Sequence, residues 1–530
     1  MRNELMARVG AETVIVGAGS SGAVIASRIT ENPGRSVLLL EAGPDYPPER
    51  SLPADLVWGG RNSLVDHDWK LRHRTNAGGF RLRMPRGRVV GGSSAVNTCV
   101  ALRGQPEDFD EWAALGLGEW SWERCLPAFI RLERDLDFDT PWHGRHGQLP
   151  VRRHPRSEWV PWQAAFVEAC VAAGFPYCED SNEPGSWGVG PHTMNKIEGR
   201  RVSAAEAFLP AAVRARDNLA IRAETTVRRV LFRGRRVVGV EIVKRGRPET
   251  IATNRVVLSA GAIHTPGILL RSGIGPADKV RKIGCELVID APAVGRKLLD
   301  HPGYAMFLLP KWRAATNHKH PLLQTVLRTP SGRRAHRADM LLQPGSVLAL
   351  PHLNLPLVSI MGAIGKPRGH GLLFWDSPGA EKPPRIESRL LENPDDLELA
   401  VEAMKLGCDL AQRAPLRHLA TMLWPRASVF RRTDDIRAWI VRACDSGYHP
   451  CGTVPMGVLP GPDAAVDGRG RVFGIEGLYV ADASVMPTIP SSNIHLPTLM
   501  MAERMGEWLR DDVAASVTAS SVGADAPRTP

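Results

Sequence analysis

Three glycines near the start of the chain have the spacing of a nucleotide-phosphate site. Gly17, Gly19 and Gly22 spell G-x-G-x-x-G, and each glycine has a physical role in such a motif. Gly17 permits a tight turn, Gly19 lets a pyrophosphate approach the backbone, and Gly22 lets the following helix pack on a strand. This spacing predicts a dinucleotide held by backbone N–H groups at a helix N-terminus.

The segments around these glycines have the pattern of the βαβ unit that must position them. Residues 13–16 are an apolar run rich in β-branched side chains, residues 20–30 a small-residue helix, and residues 36–40 a second apolar strand. Glu41 follows that strand, where a carboxylate can accept hydrogen bonds from ribose hydroxyls. Glycines also occur in ordinary turns, but this order of elements predicts a dinucleotide site, with NAD and FAD both possible from this stretch alone.

The whole chain has the size and composition of a globular protein with more than one lobe. Its 530 residues exceed one ordinary domain, and 43% of them are hydrophobic and 23% charged. The net charge of +11 is spread along the chain without a Lys/Arg block. This pattern predicts a weak bias towards anionic partners and no nucleic-acid site. The eight cysteines form no C-x-x-C pair, so neither a metal site nor a disulfide framework is predicted.

Export and membrane insertion are not predicted. The N-terminal stretch lacks the long apolar core of a signal peptide, and no apolar run reaches the length of a transmembrane segment. With the cysteine pattern, this predicts a cytoplasmic protein without a transmembrane segment. Residues 511–530 are rich in Ala, Ser and Pro, which predicts a disordered tail.

Hydrophobic patterning along the rest of the chain predicts an α/β fold with two domains. A helix is expected at residues 203–216, antiparallel strands at 219–222, 227–233, 236–244 and 249–253, and a further strand of the dinucleotide sheet at 254–263. In the second domain we expect one antiparallel sheet with strands at 341–343, 357–361 and 372–375, and helices at 162–173, 395–413 and 434–444. A strand at 478–480 and a helix at 497–510 return to the first domain.

Later motifs resemble the glucose-methanol-choline (GMC) family of flavoprotein oxidoreductases. Residues 87–110 and 261–275 match the two family signatures, and Tyr448-His449-Pro450 and the stretches 480–484 and 492–498 follow in the family's order. The resemblance spans residues 13–510 and is greatest to bacterial aryl-alcohol and furfuryl-alcohol oxidases and choline-dehydrogenase-like members. It implies a Rossmann-like FAD-binding domain from residues 11–155, 200–303 and 445–510, and a substrate-binding domain from 156–199 and 304–444.

The resemblance also implies the chemistry, the oxidation of a primary or aryl alcohol to a carbonyl. Such a reaction transfers a hydride to flavin N5 and needs a proton acceptor for the hydroxyl, a role that histidine fits. His449 matches the family's catalytic histidine. His495 matches a second position that is Asn in many members. We predict His449 as the base and His495 as the residue that orients the hydroxyl, with the exchange of roles left open.

Two imidazoles near one hydroxyl are expected to titrate as a coupled pair. A third histidine, His301, matches a family pattern in LLDHP. We predict a structural role for it at the domain junction.

The resemblance further implies how FAD is held. Val96 aligns with a histidine that some members attach to FAD, so non-covalent FAD is predicted. The helix N-terminus at Pro497–Thr498 is expected to stabilise the negative charge of reduced flavin. The predicted cofactor-binding residues are Gly17, Gly19, Ser20, Ser21, Gly22, Glu41, Ala42, Trp69, Val90, Ser93, Ser94, Asn97, Val227, Ala260, Gly261, Tyr448, Asp482, Ala483, Pro497 and Thr498.

Several alternatives stay open at this point. Reoxidation by O2 and reoxidation by a quinone or protein acceptor are both compatible with the sequence. Relatives with the same fold include FAD-containing hydroxynitrile lyases and a light-driven flavin decarboxylase, and the histidine pair argues against the latter. The substrate pocket, expected from residues 304–444, has no readable motif, so the identity of the alcohol is left open.

Overall fold

A five-stranded parallel sheet organises the N-terminal half of the computed structural model, which describes residues 11–244, 246–311, 316–334, 336–350 and 353–512. The strand Thr13–Val16 lies between two parallel neighbours, with Thr13 opposite Val37 on one side and Arg255 on the other. All four of its residues are buried, as expected for a parallel sheet covered on both faces. The strand order is Leu219–Arg222, Val37–Leu40, Thr13–Val16, Arg255–Leu258 and Leu478–Val480. This confirms the predicted α/β, Rossmann-like class.

Two helices pack against each other beside the parallel sheet. The helix Ser20–Ile29, which follows the glycine motif, is buried at nine of its ten positions. It contacts the terminal helix His495–Asp511, where a Cβ at Gly506 would lie 3.0 Å from the Cβ of Arg28. The Nε of Arg28 donates to Glu503 at 2.8 Å. The terminal helix is therefore fastened to the helix that begins at the glycine motif.

Three predictions for the first domain were wrong in detail. The strand predicted at 254–263 is only Arg255–Leu258, since residues 261–263 belong to the helix Gly261–Arg271. The strand Leu219–Arg222 is not antiparallel, because it pairs in parallel with Val37–Leu40 at the edge of the parallel sheet. The helix predicted at 203–216 is interrupted by Pro210, which lacks a backbone N–H, and is present as Ala204–Phe208 and Ala211–Arg214. The other strands predicted there form a three-stranded antiparallel sheet: Thr226–Arg233, Arg236–Lys244 and Arg247–Ala252.

A seven-stranded antiparallel sheet organises the second lobe and has a hydrophobic core of its own. Phe166, Ile360 and Met404 belong to this core, whereas the parallel sheet lies in a different one. The strands are, in order, Ala420–Trp424, Pro302–Pro310, Val358–Ile364, Met340–Gly345, Thr325–Thr329 and Gly188–Pro191, with Asp445–Ser446 also paired to Pro302–Pro310. The helices Pro161–Ala172, Pro394–Gln412 and Thr433–Ala443 contribute to the same core.

One strand predicted in this sheet lies elsewhere. Leu372–Phe374 joins a small four-stranded sheet with Arg385–Glu387, Arg72–Arg74 and Arg81–Arg83. Its Leu373 side chain packs in the same hydrophobic core as the parallel sheet. A short apolar run in the sequence does not show which core it belongs to. The predicted domain boundaries stay a prediction. Further elements are Ala54–Val57, Pro106–Ala114, Trp122–Leu132, Glu133–Asp135, Leu149–Arg153, Thr193–Met194, Gly261–Arg271, Ala277–Lys282 and Leu416–Leu419.

The structure describes all of the cysteines but only the first two residues of the predicted tail. The tail predicted at 511–530 lies outside the described residues, apart from Asp511 and Asp512. All eight cysteines fall within the described ranges and have free thiols. Among the helices of the described ranges, none has both the length and the apolar character needed to cross a bilayer.

Six buried charges join the strands Glu133–Asp135 and Leu149–Arg153. The His143 ring lies 2.9 Å from Glu133, 3.0 Å from Asp135 and 2.8 Å from Asp180. The group could geometrically hold a cation, but Arg103 already pairs with Glu133, and Arg153 with both aspartates. Burial would lower the pKa of His143, but its hydrogen bonds to the three carboxylates raise it to about 10. Three cations therefore balance three anions.

We predict that His143→Gln lowers the free energy of unfolding by about 3–5 kcal/mol near pH 6, because it leaves a buried carboxylate uncompensated. The pKa of His143 is raised in the folded state, so its stabilisation is complete below about pH 6.5 and is lost as the pH rises towards 10. Urea unfolding at pH 6 and pH 9.5 measures both effects. A difference between wild type and variant that is equal at the two pH values would contradict this assignment.

Candidate active site

A cavity extends from the glycine motif to the segment around His449 and His495, and both histidines line it. Most of the predicted cofactor residues line it as well: Gly17, Gly19, Ser20, Ser21, Glu41, Ala42, Trp69, Ser93, Ser94, Asn97, Val227, Ala260, Gly261, Tyr448, Asp482, Ala483 and Thr498. Gly22, Val90 and Pro497 are not part of the wall. Gly22 packs against the carbonyl of Gly17, Val90 donates its N–H to Pro44, and Pro497 is buried in the first turn of the terminal helix.

The glycine motif leaves room for a phosphate group. Gly17 has a φ of +98°, and a Cβ there would lie 2.5 Å from the carbonyl oxygen of Ser259. At Gly19, by contrast, a Cβ would meet only the Cα of Gly92 among the described atoms, at 3.8 Å. The helix that starts at Ser20 has no side-chain cap and no acidic residue in its first turn, as far as the structure describes it. Its free N–H groups fit the pyrophosphate of FAD.

Two carboxylates shape this end of the cavity. Glu41 accepts hydrogen bonds from the N–H groups of Ala18 at 3.0 Å and Gly43 at 2.9 Å. Burial raises the pKa of Glu41 to about 7, although these N–H groups oppose the rise. Asp482 accepts from the Gly261 N–H at 2.8 Å and the Thr265 hydroxyl at 2.6 Å. Asp482 therefore holds the start of the helix Gly261–Arg271 in place, and its direct contact with FAD stays a prediction.

The backbone of the His449 segment is held in a strained conformation. Tyr448 has a φ of +63°, a region that bulky side chains rarely adopt. An Arg86 N–H donates to the Tyr448 carbonyl at 2.7 Å, and the Tyr448 N–H donates to the Ser446 hydroxyl at 2.8 Å. The next N–H, that of His449, donates to Asp300 at 2.9 Å. These bonds fix the direction in which the His449 side chain leaves the backbone.

The His449 imidazole has a partner on each nitrogen. Its Nε2 lies 3.0 Å from the Asn493 amide nitrogen, and its Nδ1 lies 2.9 Å from Nδ1 of His301. Burial, then the neighbouring His301 and Arg86, lower the pKa of His449 well below its usual value. The imidazole is therefore neutral at physiological pH, with one ring nitrogen free of a proton.

The imidazole that contacts His449 is His301, and not His495 as predicted for a coupled pair. His301 was predicted to be structural, yet it lies directly behind the predicted base. His495 lines the cavity and its Nε2 has no hydrogen-bond partner within the described part of the chain. Burial lowers the pKa of His495 to about 4, so this second imidazole is neutral as well.

The cavity wall also includes polar residues that the sequence did not single out as site residues, among them Asn493, His264 and Arg86. Asn493 lies two residues before His495 in the motif at 492–498. Its amide, a possible hydrogen-bond donor beside a predicted site residue, was the signal that could have identified it. The His264 ring packs against Trp69 at a centroid distance of 4.2 Å with the ring planes tilted by 39°, and its Nε2 is without a partner among the described residues. Burial, with Arg271 and Arg88, lowers the pKa of His264 to about 3.

The terminal helix directs its N-terminus at the cavity. It begins at His495, two residues earlier than the predicted Pro497, and Ile494, His495 and Thr498 line the wall. Its first turn has no acidic residue, and no side chain caps it in the described structure. The positive end of the helix dipole therefore fits a negatively charged ring of reduced flavin. Val96 presents an apolar side chain to the wall, which fits the prediction of non-covalent FAD.

Comparisons with known proteins agree with this geometry. Family models described as GMC oxidoreductase match residues 11–303 and 367–502. The chain is 34% identical to 5-(hydroxymethyl)furfural oxidase of Methylovorus sp. (strain MP688) over 93% of this chain and 97% of that one. It is 35% identical to mitochondrial choline dehydrogenase of Homo sapiens over 94% and 90%.

A solved structure with the same fold extends the comparison. Pyridoxine 4-oxidase from Mesorbium loti superposes with a TM-score of 0.86 at 30% sequence identity, over 94% of this chain and 98% of that one. The family models cover both lobes, and the relatives match along almost their whole length. The chain therefore belongs to the GMC oxidoreductases, FAD-binding flavoproteins that act on alcohol groups.

Proposed function

We propose that this protein oxidises a primary alcohol on an aromatic or heteroaromatic ring to the aldehyde, with Nε2 of His449 as the acceptor of the hydroxyl proton. The observation that supports it most is the neutral His449 imidazole, whose Nε2 has the Asn493 amide as its partner at the cavity wall. A neutral imidazole at this place has the lone pair that general-base catalysis requires.

The proposed reaction divides the two hydrogens of the alcohol between protein and cofactor. Bound FAD supplies the acceptor for the hydride that leaves the substrate carbon. His449 Nε2 takes the proton as the O–H bond breaks and the carbonyl forms. Before this step the substrate hydroxyl replaces the Asn493 amide as the donor to Nε2. The Asn493 N–H and the His495 imidazole, both on the wall, then hold the substrate oxygen in position.

The charges of the cavity wall favour a neutral substrate over a quaternary ammonium. The charged side chains among the described wall residues are Glu41, Arg86, Arg271 and Asp482. Glu41 belongs to the glycine-motif end, and the oxygens of Asp482 accept hydrogen bonds from the protein. Among these wall residues, Arg86, which donates to Tyr448, lies next to His449, and its positive charge opposes a cation in the cavity. Asp300, which accepts from the His449 N–H, is not one of the described wall residues. The names of two relatives, 5-(hydroxymethyl)furfural oxidase and pyridoxine 4-oxidase, also specify ring compounds.

We predict that benzyl alcohol and 5-(hydroxymethyl)furfural bleach the flavin at least about 10-fold faster than choline, because Arg86 opposes a cation near His449. Anaerobic stopped-flow mixing of the holoenzyme with each alcohol measures these rates. Faster bleaching by choline would contradict the proposed substrate class. Cyanide release from mandelonitrile, with no alcohol bleaching the flavin, would instead indicate a hydroxynitrile lyase.

The same samples identify the electron acceptor, which we propose to be O2 or a quinone or protein. Air is admitted after bleaching, and the return of the flavin colour is timed. Recovery within seconds indicates an oxidase. Flavin that stays bleached for minutes indicates a dehydrogenase that needs another acceptor.

A further inference from the structure

The Nε2 atom of His301 faces two hydrogen-bond acceptors, both of them backbone carbonyl oxygens. It lies 2.9 Å from the carbonyl oxygen of Gly365 and 3.0 Å from that of Pro490. Carbonyl oxygens accept hydrogen bonds and never donate them, so this nitrogen must bear a proton. A lone pair facing two oxygens at these distances would be repelled by both.

The second nitrogen of His301 then has a fixed role. Burial lowers the pKa of His301 to about 4, although its contacts with the two carbonyls oppose this. The ring is neutral, and because its one proton is on Nε2, its Nδ1 bears a lone pair. That lone pair lies 2.9 Å from Nδ1 of His449, so His449 must donate this hydrogen bond.

The tautomer of His449 follows from this contact. A neutral His449 with its proton on Nδ1 has its lone pair on Nε2, the nitrogen that meets Asn493 at 3.0 Å. The amide nitrogen of Asn493 donates to this lone pair, which agrees with the same assignment. Without His301 the His449 proton could occupy either nitrogen, and on Nε2 it would block the acceptance of a substrate proton.

The residues next to the two carbonyls that contact His301 are held by an ion pair and hydrogen bonds. Lys366, the residue after Gly365, donates to the carbonyl of Ile489 at 2.8 Å and pairs with Asp108 at 3.1 Å. Asp108 also accepts from the N–H and the hydroxyl of Ser491, the residue after Pro490. The chain on both sides of the carbonyl pair is thus fastened to one buried carboxylate.

We propose that His301 is a positioning residue that holds the proton of His449 on Nδ1 and thereby directs the Nε2 lone pair at the substrate hydroxyl. This inference rests on the proposed role of His449 as the base. It adds that a second imidazole, on the residue just before the strand Pro302–Pro310, fixes the tautomer of the base. When His449 accepts the substrate proton, its Nδ1–H is already donated to His301, so the new charge is stabilised without rearrangement.

Two substitutions of nearly equal size test this role. In His301→Leu the Nδ1–H of His449 has no acceptor, and we expect anaerobic flavin reduction to slow at least about 10²-fold. A wrong histidine tautomer costs about 10⁴-fold in the Ser-His-Asp triad of serine proteases. In His301→Asn the amide oxygen can accept that proton, so the rate should stay within about 10-fold of wild type. Equal losses in the two variants, or normal rates in both, would overturn the inference.

The tautomer can also be read without changing His301, in case the leucine variant does not fold. Histidine labelled with ¹⁵N in the holoenzyme gives separate nitrogen signals for protonated and unprotonated ring positions, and the His449→Gln spectrum identifies those of residue 449. We expect a protonated Nδ1 and an unprotonated Nε2. The opposite pattern would overturn the role of His301, whereas an undiminished rate in His449→Gln would instead remove His449 as the base.

Discussion

Replacing His449 by glutamine should leave FAD bound while slowing flavin reduction by the alcohol at least 10²–10⁴-fold, the usual contribution of a general base. Glutamine has a similar length and keeps polar atoms near Asn493 and His301, but its amide does not accept a proton at physiological pH. The loss should therefore appear in the rate constant of anaerobic reduction and not in cofactor content. Stopped-flow bleaching and the flavin-to-protein absorbance ratio measure the two quantities separately.

A control for this prediction is His146→Gln, because His146 is exposed and absent from the cavity wall. It should reduce its flavin at the wild-type rate. If His449→Gln also bleaches at a near-normal rate, then His449 is not the base. In that case His495, the other neutral imidazole on the wall, becomes the candidate.

Gly19→Val should yield folded but colourless protein. The described structure leaves open space around a Cβ at this position, with its nearest atom 3.8 Å away, so valine should not disrupt the loop. That open space lies at the uncapped N-terminus of the helix Ser20–Ile29, where we expect the pyrophosphate, and a branched side chain would occupy it. We expect the dissociation constant for FAD to rise at least about 100-fold, which corresponds to a loss of about 2.7 kcal/mol in binding free energy.

The control for the cofactor site is Gly461→Val. Gly461 also has no described atom near a Cβ, its φ is outside the left-handed region, and it is not part of the cavity wall. FAD titration of the two purified apoproteins, followed by tryptophan fluorescence, compares them directly. A Gly19→Val protein that binds FAD as tightly as the Gly461→Val control would place the pyrophosphate elsewhere.

The sequence revealed the glycine motif because its structure is local. Strand, turn, helix and second strand are consecutive, and each glycine acts on neighbours within that unit, as Gly22 does on the Gly17 carbonyl. Glu41 could be placed for the same reason, since it follows directly on the strand Val37–Leu40. Short-range spacing is sufficient where the contacts themselves are short-range.

The contact between His301 and His449 could not be predicted in this way. The two residues are 148 positions apart. They meet because Pro302 pairs with Ser446 across two antiparallel strands, one of them only two residues long. So short a strand has no periodicity to detect, and LLDHP by itself does not identify a partner. The misplaced strand Leu372–Phe374 has the same cause, since sheet membership depends on partners far away in sequence.

The sequence also could not predict which side chain near the start of the terminal helix contacts His449. The sequence pointed to His495 beside the base, whereas the structure places Asn493 against His449 Nε2. The helix begins at His495, so the residues before it have a non-helical backbone. The observed helix start differs from the predicted one by two residues, which is within the uncertainty of sequence patterns, and Asn493 precedes both.

A single turnover in the absence of oxygen tests the central claim, that bound FAD and His449 together oxidise an alcohol, most directly. Holoenzyme is mixed anaerobically with excess 5-(hydroxymethyl)furfural or benzyl alcohol, and the visible flavin band and the newly formed aldehyde are quantified together. We predict that the band bleaches and that one aldehyde forms for each flavin, and that His449→Gln does neither on the same time scale. A flavin that stays oxidised with these alcohols, or that bleaches without forming aldehyde, would contradict the account.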